Sequence, residues 1–451
     1  MEGHITMRKT FTFLLLFFLL VSCAKKVQEK AVEKNVVVLR WVSDANPARQ
    51  KQIELFERAN PGIKVQLDWT SGGQEKILTQ IAGGKPPDLF DIYSPEQFRV
   101  FAEKNALLDI TDYCKKYNVN LKDFWPQLAP YMYYKDRVYA IPTNAATIVL
   151  FYNKKLFDEN NVKYPDESWT WDDLLEAAKK LTRIDVEKRK YEYFGFAEQF
   201  ADTILPWAFG ADFYSPDGKK CIINSPEGKK AFRFLYDMRF KYNVIPTPQQ
   251  YEAIGSISGW GQGAMNLFAT GRAAMILYGR WGIITFRKMK NLDWDIAPVP
   301  KYKDGKVERR ATLFLSRSTA ISINSPHPEE AFKFLMFLTT PEYNKLISHG
   351  GDSFPAVMSI ARSDIFLFDP EFPNERKNKL YLDMIEYARV PRLSPYVLQM
   401  EVDEIKRFEM DLMWNQKQTP EQTLDNIANK VNRLIEENVK KQLTGSKKEQ
   451  L

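Results

Sequence analysis

Val36-Val37-Val38-Leu39-Arg40-Trp41-Val42 is a β-branched apolar run of strand length, and the residues after it set the architecture. From Pro47 to Ala59, Ile53, Phe56 and Ala59 share a helical face, and Asn60-Pro61-Gly62 closes the helix. Ile63-Lys64-Val65-Gln66-Leu67-Asp68-Trp69 alternates as a second strand before the loop Ser71-Gly72-Gly73. Ile77, Leu78 and Ile81 mark another helix, stopped by Gly83-Gly84, and after Pro86-Pro87 comes a third strand, Asp88-Leu89-Phe90-Asp91-Ile92-Tyr93. Strand and helix alternating over short connections predict a parallel sheet with helices on both faces, an α/β fold that binds ligands at the carboxyl ends of its strands.

The same grammar continues outward. Ile148-Val149-Leu150-Phe151-Tyr152 reads as a strand, and Thr170 caps a helix with Trp171, Leu174, Leu175, Ala178 and Leu181 on one face. Ser225-Pro226 and Ser325-Pro326 open further helices, and Thr419-Pro420-Glu421-Gln422 is a capping box. The polar stretch from Lys440 to Leu451 is expected to fray. At 451 residues the chain is too long for one compact core, so two lobes are expected.

At the other end, Arg8 and Lys9 precede the apolar run Phe11 to Val21, which is short for a spanning helix and has the form of a secretory signal. The run stops at Leu20-Val21-Ser22-Cys23. Small residues before a cysteine resemble a bacterial lipobox, in which Cys23 becomes the acylated first residue; an incidental cysteine after an ordinary signal, or an anchor helix left uncleaved, is the alternative. A lipid anchor outside the cytoplasm is the expectation, with residues 1–22 as the lipoprotein signal peptide and 23–35, polar from Ala24 to Lys30, as the tether.

Charged residues make up 27% of the chain and hydrophobic ones 44%, ordinary values for a globular protein. The net charge of +7 is spread along the chain and gives no nucleic-acid signature. No metal or cofactor is expected: His327 and His349 lack zinc-type spacing, and Gly259-Trp260-Gly261-Gln262-Gly263-Ala264 mimics a dinucleotide fingerprint with no strand before it. Cys114 and Cys221 read as separate core residues rather than a disulfide framework. The 10 Trp point to an aromatic-lined pocket.

Several stretches then resemble one family in order. They are Phe56-Glu57-Arg58-Ala59-Asn60-Pro61-Gly62, Ile81-Ala82-Gly83-Gly84-Lys85-Pro86-Pro87-Asp88, Val138-Tyr139-Ala140-Ile141-Pro142 with Phe151-Tyr152-Asn153-Lys154-Lys155-Leu156-Phe157, Trp169-Thr170-Trp171-Asp172-Asp173-Leu174, Gly271-Arg272-Ala273-Ala274-Met275 through Gly279-Arg280-Trp281, and Pro328-Glu329-Glu330-Ala331-Phe332-Lys333-Phe334. Each is weak alone; in this order they resemble the carbohydrate-type solute-binding proteins of ABC importers. The family's glycine run before the returning strand is missing from Thr312 to Ser318.

The resemblance implies a periplasmic-binding-protein-like fold, two α/β lobes joined by a multi-strand hinge with the ligand between them. Residues 36–146 with 312–366 would form the first lobe, 147–311 with 367–443 the second, and 444–451 a disordered tail. Crossings are expected near Asn144 to Ile148, Leu313 to Ile321 and Phe366 to Pro370. It further implies a monomer that carries a sugar or oligosaccharide to permease subunits, with no catalysis. A lipid-anchored glycosidase, or a carrier of polyamine or peptide, is the alternative.

A sugar ring wants a flat aromatic on its face and polar groups around its edge. Trp281, between small residues, matches the family's stacking tryptophan. Asp44 follows the first strand and either accepts hydroxyls or caps the next helix. Trp69, Ser71 and Gly72 follow the second strand, and Tyr93, Ser94 and Glu96 the third; of these Ser71 and Tyr93 are the stronger candidates. Asn144 is expected to reach the cleft or to hold the hinge. Trp207, Trp260, Arg317, Phe354 and Tyr396 complete the ligand-binding candidates.

Overall fold

The computed structural model describes residues 36–185, 190–254, 263–373, 375 and 377–448, and it gathers the opening alternation into one five-stranded sheet. Strand Val37–Val42 pairs in parallel with Ile63–Asp68 on one side and Leu89–Ile92 on the other. Every residue of Leu89–Ile92 is buried, as a strand covered on both faces should be. Helices Ala48–Ala59, Gln74–Ala82 and Pro95–Glu103 alternate with the strands. The sheet is mixed rather than wholly parallel, because Ser318–Ile321 lies antiparallel to both Leu89–Ile92 and Ala140–Pro142. That strand belongs to chain returning from the other half of the molecule, so no βαβ crossover dictates its direction.

A second five-stranded sheet orders Trp294–Ala297, Val149–Asn153, Ala273–Tyr278, Lys190–Ala197 and Arg183–Asp185. Only Lys190–Ala197 and Ala273–Tyr278 run in parallel. Helix Trp171–Lys180 starts at the expected capping box, with Thr170 and Asp173 bonded reciprocally. Helix Pro328–Phe337 starts after the expected Ser325-Pro326, since the Ser325 hydroxyl donates instead to Asp88.

Three short strands, Ala146–Thr147, Thr312–Leu315 and Ala388–Arg389, form a sheet between the two halves. Buried side-chain bonds tie it down: Thr147 Oγ1 to the Tyr381 carbonyl at 2.7 Å and Thr312 Oγ1 to that of Ile148 at 2.8 Å. The crossing expected near Phe366 to Pro370 is instead a short helix, Asp364–Leu367, followed by Asp369 paired with Arg287 of the second half at 2.7 Å. The paired strand comes later, at Ala388–Arg389. One apolar core runs through this junction and into both halves.

A separate core lies beneath helices Pro226–Phe240, Gln399–Trp414 and Pro420–Lys448. Thr419 and Gln422 form the capping box. The tail expected from residue 444 is still helical through Lys448, because elongating a helix whose first turns are packed is far cheaper than nucleating one. Cys114 and Cys221 are buried and unpaired. No helix among the described residues is long and apolar enough to cross a membrane. Cys23 and the apolar run before it lie outside the described residues.

Candidate functional site

The strand ends of the first lobe face the second lobe across a cavity of about 850 Å³. Ser43 and Asp44 reach it from the first strand, Trp69 from the second, and Asp91 and Tyr93 from the third. The hinge contributes Asn144, Ser316 and Arg317, and the loop after helix Pro341–His349 contributes Asp352 and Ser353. From the second lobe come Phe200, Trp281, Ile284, Thr285 and Lys288.

Trp281 leaves strand Ala273–Tyr278 through Gly279, and a Cβ on Gly279 would stand 1.9 Å from the indole. Only a glycine lets the ring lie against its own backbone. Tyr278, tilted at 5.3 Å, and Phe200, edge-on at 6.3 Å, pack against the half-buried ring.

The floor is a buried charge network. Arg49 donates to Asp44 at 2.9 Å and to Asp352 at 3.5 Å. Arg317 lies 3.4 Å from Asp91, 3.6 Å from Asp44 and 3.9 Å from Asp352, and its guanidinium also bonds the Tyr343 hydroxyl. Burial pulls the ionisation of Arg49 down, but the charges of Asp44 and Asp352 outweigh it and the net shift is upward. Burial pushes the Asp91 carboxyl up to about 6, against the pull of Arg49 and of the Ser43 and Thr319 hydroxyls, and raises Asp352 as well. Asp91 is held within its own lobe, accepting from Trp41 Nε1 at 3.0 Å, Ser43 Oγ at 2.5 Å and Thr319 Oγ1 at 2.7 Å.

Above this floor sit groups that a ligand can reach. Asp44 takes the Asn46 amide at 3.0 Å and the Tyr93 hydroxyl at 3.2 Å. It does not cap helix Ala48–Ala59, whose N-cap is Pro47; Asn46 Oδ1 accepts from the Ala48 amide at 2.9 Å. Tyr93 leaves 44% of its surface open. Asn144 stands where the hinge meets the cavity. Its Oδ1 accepts from the Arg317 amide at 2.8 Å and its carbonyl from Ser316 Oγ at 2.7 Å, while its Nδ2 has no partner among the described residues and the side chain lines the cavity.

Trp281, Tyr93, Asp44, Asn144 and Arg317 are thus brought together from positions far apart in the chain. Four others are not. Ser71 is turned inward, its Oγ accepting from Arg40 at 3.2 Å, because that guanidinium under the turn needs acceptors. Phe354 pairs with Ala145 by backbone, and this register carries its ring into the core between Trp125, Phe314 and Phe366 while Ser353 takes the cavity wall. Trp207 is buried in helix Ala201–Phe209 and lines a separate hollow of about 140 Å³ with Glu96 and Asp202. Tyr396 packs on the core of the C-terminal helices, and its carbonyl accepts from Asn438. Trp260 lies outside the described residues.

Asp352, Ser353, Phe200, Thr285 and Lys288 were not foreseen. Trp281, Ile284, Thr285 and Lys288 are spaced by three and four, a pattern that puts them on one helical face and was there to be read. Nothing local marks Asp352, whose Asn46 and Arg49 partners lie some three hundred residues away. Among the described residues no cluster of His, Cys, Asp and Glu is placed to hold a metal ion.

A family model for the bacterial extracellular solute-binding protein matches residues 42–345. A maltotriose-binding protein of Pyrococcus abyssi is 25% identical over 364 residues, 79% of this chain and 74% of that one. A multiple sugar-binding protein of Streptococcus mutans is 23% identical, covering 71% and 75%. Among solved structures, an ABC substrate-binding protein of Listeria monocytogenes in complex with cycloalternan superposes with a TM-score of 0.75 at 26% identity, over 88% of this chain and 98% of that one. Maltose-bound MalE3 of T. maritima superposes with a TM-score of 0.72 at 22% identity, over 88% and 100%. The fold is therefore periplasmic-binding-protein-like.

Proposed function

This chain belongs to the bacterial extracellular solute-binding protein family, and from that premise we propose that it captures a sugar or oligosaccharide between its lobes and delivers it to the permease of an ABC importer. The observation that carries the reading is the pairing of a braced indole, Trp281 on the second lobe, with a polar edge of Asp44, Tyr93 and Asn144 across an 850 Å³ cavity. An apolar face with a rim of hydroxyls is what such a pair complements. A ligand touching both walls is held fully only when they approach, so binding favours the closed hinge. Relatives named for maltotriose and multiple sugars support the class of ligand.

The glycosidase alternative has in its favour the raised carboxyls of Asp91 and Asp352, the latter also only 4% exposed and tied to Asn46 and Arg49. A general acid must reach the scissile oxygen. Asp91 is only 4% exposed, and both of its oxygens already accept from Trp41, Ser43 and Thr319. Carriage without turnover is the better account. A polyamine is disfavoured too, since Arg49 and Arg317 already neutralise the carboxylates of the floor. The protein works as a monomer held outside the cytoplasm by acyl chains on Cys23; Cys23→Ser should release it from the membrane fraction.

Titration of intrinsic Trp fluorescence with a panel of sugars tests the function. A saturable change without product is expected. Product formation from any sugar, or no response to any of them, would overturn it.

A further inference from the structure

Trp69 is the one exposed tryptophan among the nine described, with 62% of its surface open, yet it stands on the wall of the cleft. No other ring and no cation covers either of its faces among the described residues, unlike Trp41, Trp125, Trp281 or Trp414, each of which packs on a partner. An indole left in water is unfavourable unless something is meant to cover it.

The loop beneath it is built to hold it there. Asp68 Oδ1 accepts from the Thr70 amide at 3.1 Å, the Thr70 hydroxyl at 2.9 Å and the Ser71 amide at 3.0 Å. Its Oδ2 takes two bonds from Arg40, at 3.0 and 2.7 Å, and Arg40 in turn reaches Gln80 at 2.8 Å. Lys76 closes the far side on the Thr70 carbonyl at 2.7 Å. Gly72 follows, and a Cβ there would meet nothing within 4 Å, so the space beside the loop is open. A fixed ring beside open space avoids the entropy of ordering a mobile side chain on binding.

Trp69 and Trp281 come from different lobes and line the same cavity, whose volume is near the top of the roughly 300–1,000 Å³ range for drug-sized ligands. We propose that Trp69 is a second stacking platform at the cleft wall, and that the physiological ligand is therefore a saccharide of at least two rings, one stacked on Trp281 and another on Trp69. The proposal rests on the sugar-binding reading and deepens it. It assigns chain-length selectivity to one side chain, because a single ring on Trp281 leaves Trp69 uncovered.

The test is isothermal titration of the full chain and of Trp69→Ala with maltose-, mannose- and arabinose-series sugars of one to four rings. In at least one series, affinity should rise about tenfold or more from one ring to the longer members. Trp69→Ala should abolish that rise while leaving monosaccharide affinity and the melting temperature unchanged, and Trp69→Phe should restore most of it. Affinity that is flat with length, or a Trp69→Ala loss equal at every length, would overturn the second platform and leave sugar binding standing. Silence from every member of all three series would overturn sugar binding and the platform together.

Discussion

Gly279 lies directly against the indole of Trp281, so close that a Cβ would stand 1.9 Å from the ring. The backbone of one residue is the seat on which its second neighbour is placed. Gly279→Ala has ordinary backbone angles available, at φ −89°, so the clash falls on the ring and not on the fold. It should displace the indole from the cleft. Sugar affinity should fall by about 1–3 kcal/mol, matching Trp281→Ala, with the melting temperature little changed. An affinity equal to the parent's in either variant would remove the indole from the site.

Arg49 is buried, and its Nη2 reaches both Asp44 and Asp352. Arg49→Met nearly keeps the volume but leaves Asp44 and Asp352 beneath the cleft with only their longer contacts to Arg317. Such a loss costs about 3–5 kcal/mol when a buried charge is left without its partner. Urea unfolding at neutral pH measures it, and a change under 1 kcal/mol would mean that water reaches the network.

Glu96 belongs to the first lobe, on helix Pro95–Glu103, but it faces a hollow otherwise lined by Asp202, Tyr214, Arg392, Gln399 and Lys406 of the second. Burial raises its carboxyl above the ordinary 4.5, against its helix amide, Ser94 and Lys406 and reinforced by Asp403. Opening the lobes returns it to water. The closed form therefore binds the proton more tightly, so closure is helped at low pH and the help is lost as pH rises through the raised value. Ligand affinity should fall from pH 4.5 towards neutrality, and in Glu96→Gln the slope should flatten. An identical pH profile in the two proteins would refute the linkage.

Phe354 packs edge-on or tilted against Trp125, Phe314 and Phe366 where the core passes through the hinge. Phe354→Ala should destabilise the protein by about 3–5 kcal/mol in thermal or urea unfolding. Ser353→Ala, one residue earlier on the cavity wall, should cost under about 1 kcal/mol. Equal effects would contradict the register that puts one side chain in the core and the other in the cleft.

Much of this could be read from the chain. The strands beginning at Val37, Ile63 and Leu89 were legible because β-branched runs and glycine or proline stops are local signals. The capping boxes at Thr170 and Thr419 were legible for the same reason. Trp281 is a candidate from sequence because Gly279 and Gly282 stand close beside it and because it matches the family's stacking tryptophan. What failed, failed at longer range. Ser71, by its place after the second strand, and Phe354 are cleft candidates from sequence, but their side-chain directions depend on Arg40 and on the pairing with Ala145. A register is a relation between two segments, and neither segment carries it alone.

Sequence by itself determined the alternating elements, the caps and the aromatic surplus, since each follows from residues within a turn or two of one another. Tertiary structure decided which groups share the cleft: Asp352 beside Arg49, Trp69 left bare, Tyr396 taken by a helical core. The physical reason is that burial and charge pairing are set by what the whole fold brings near, and chain-distant groups feel each other only after the backbone has closed around them.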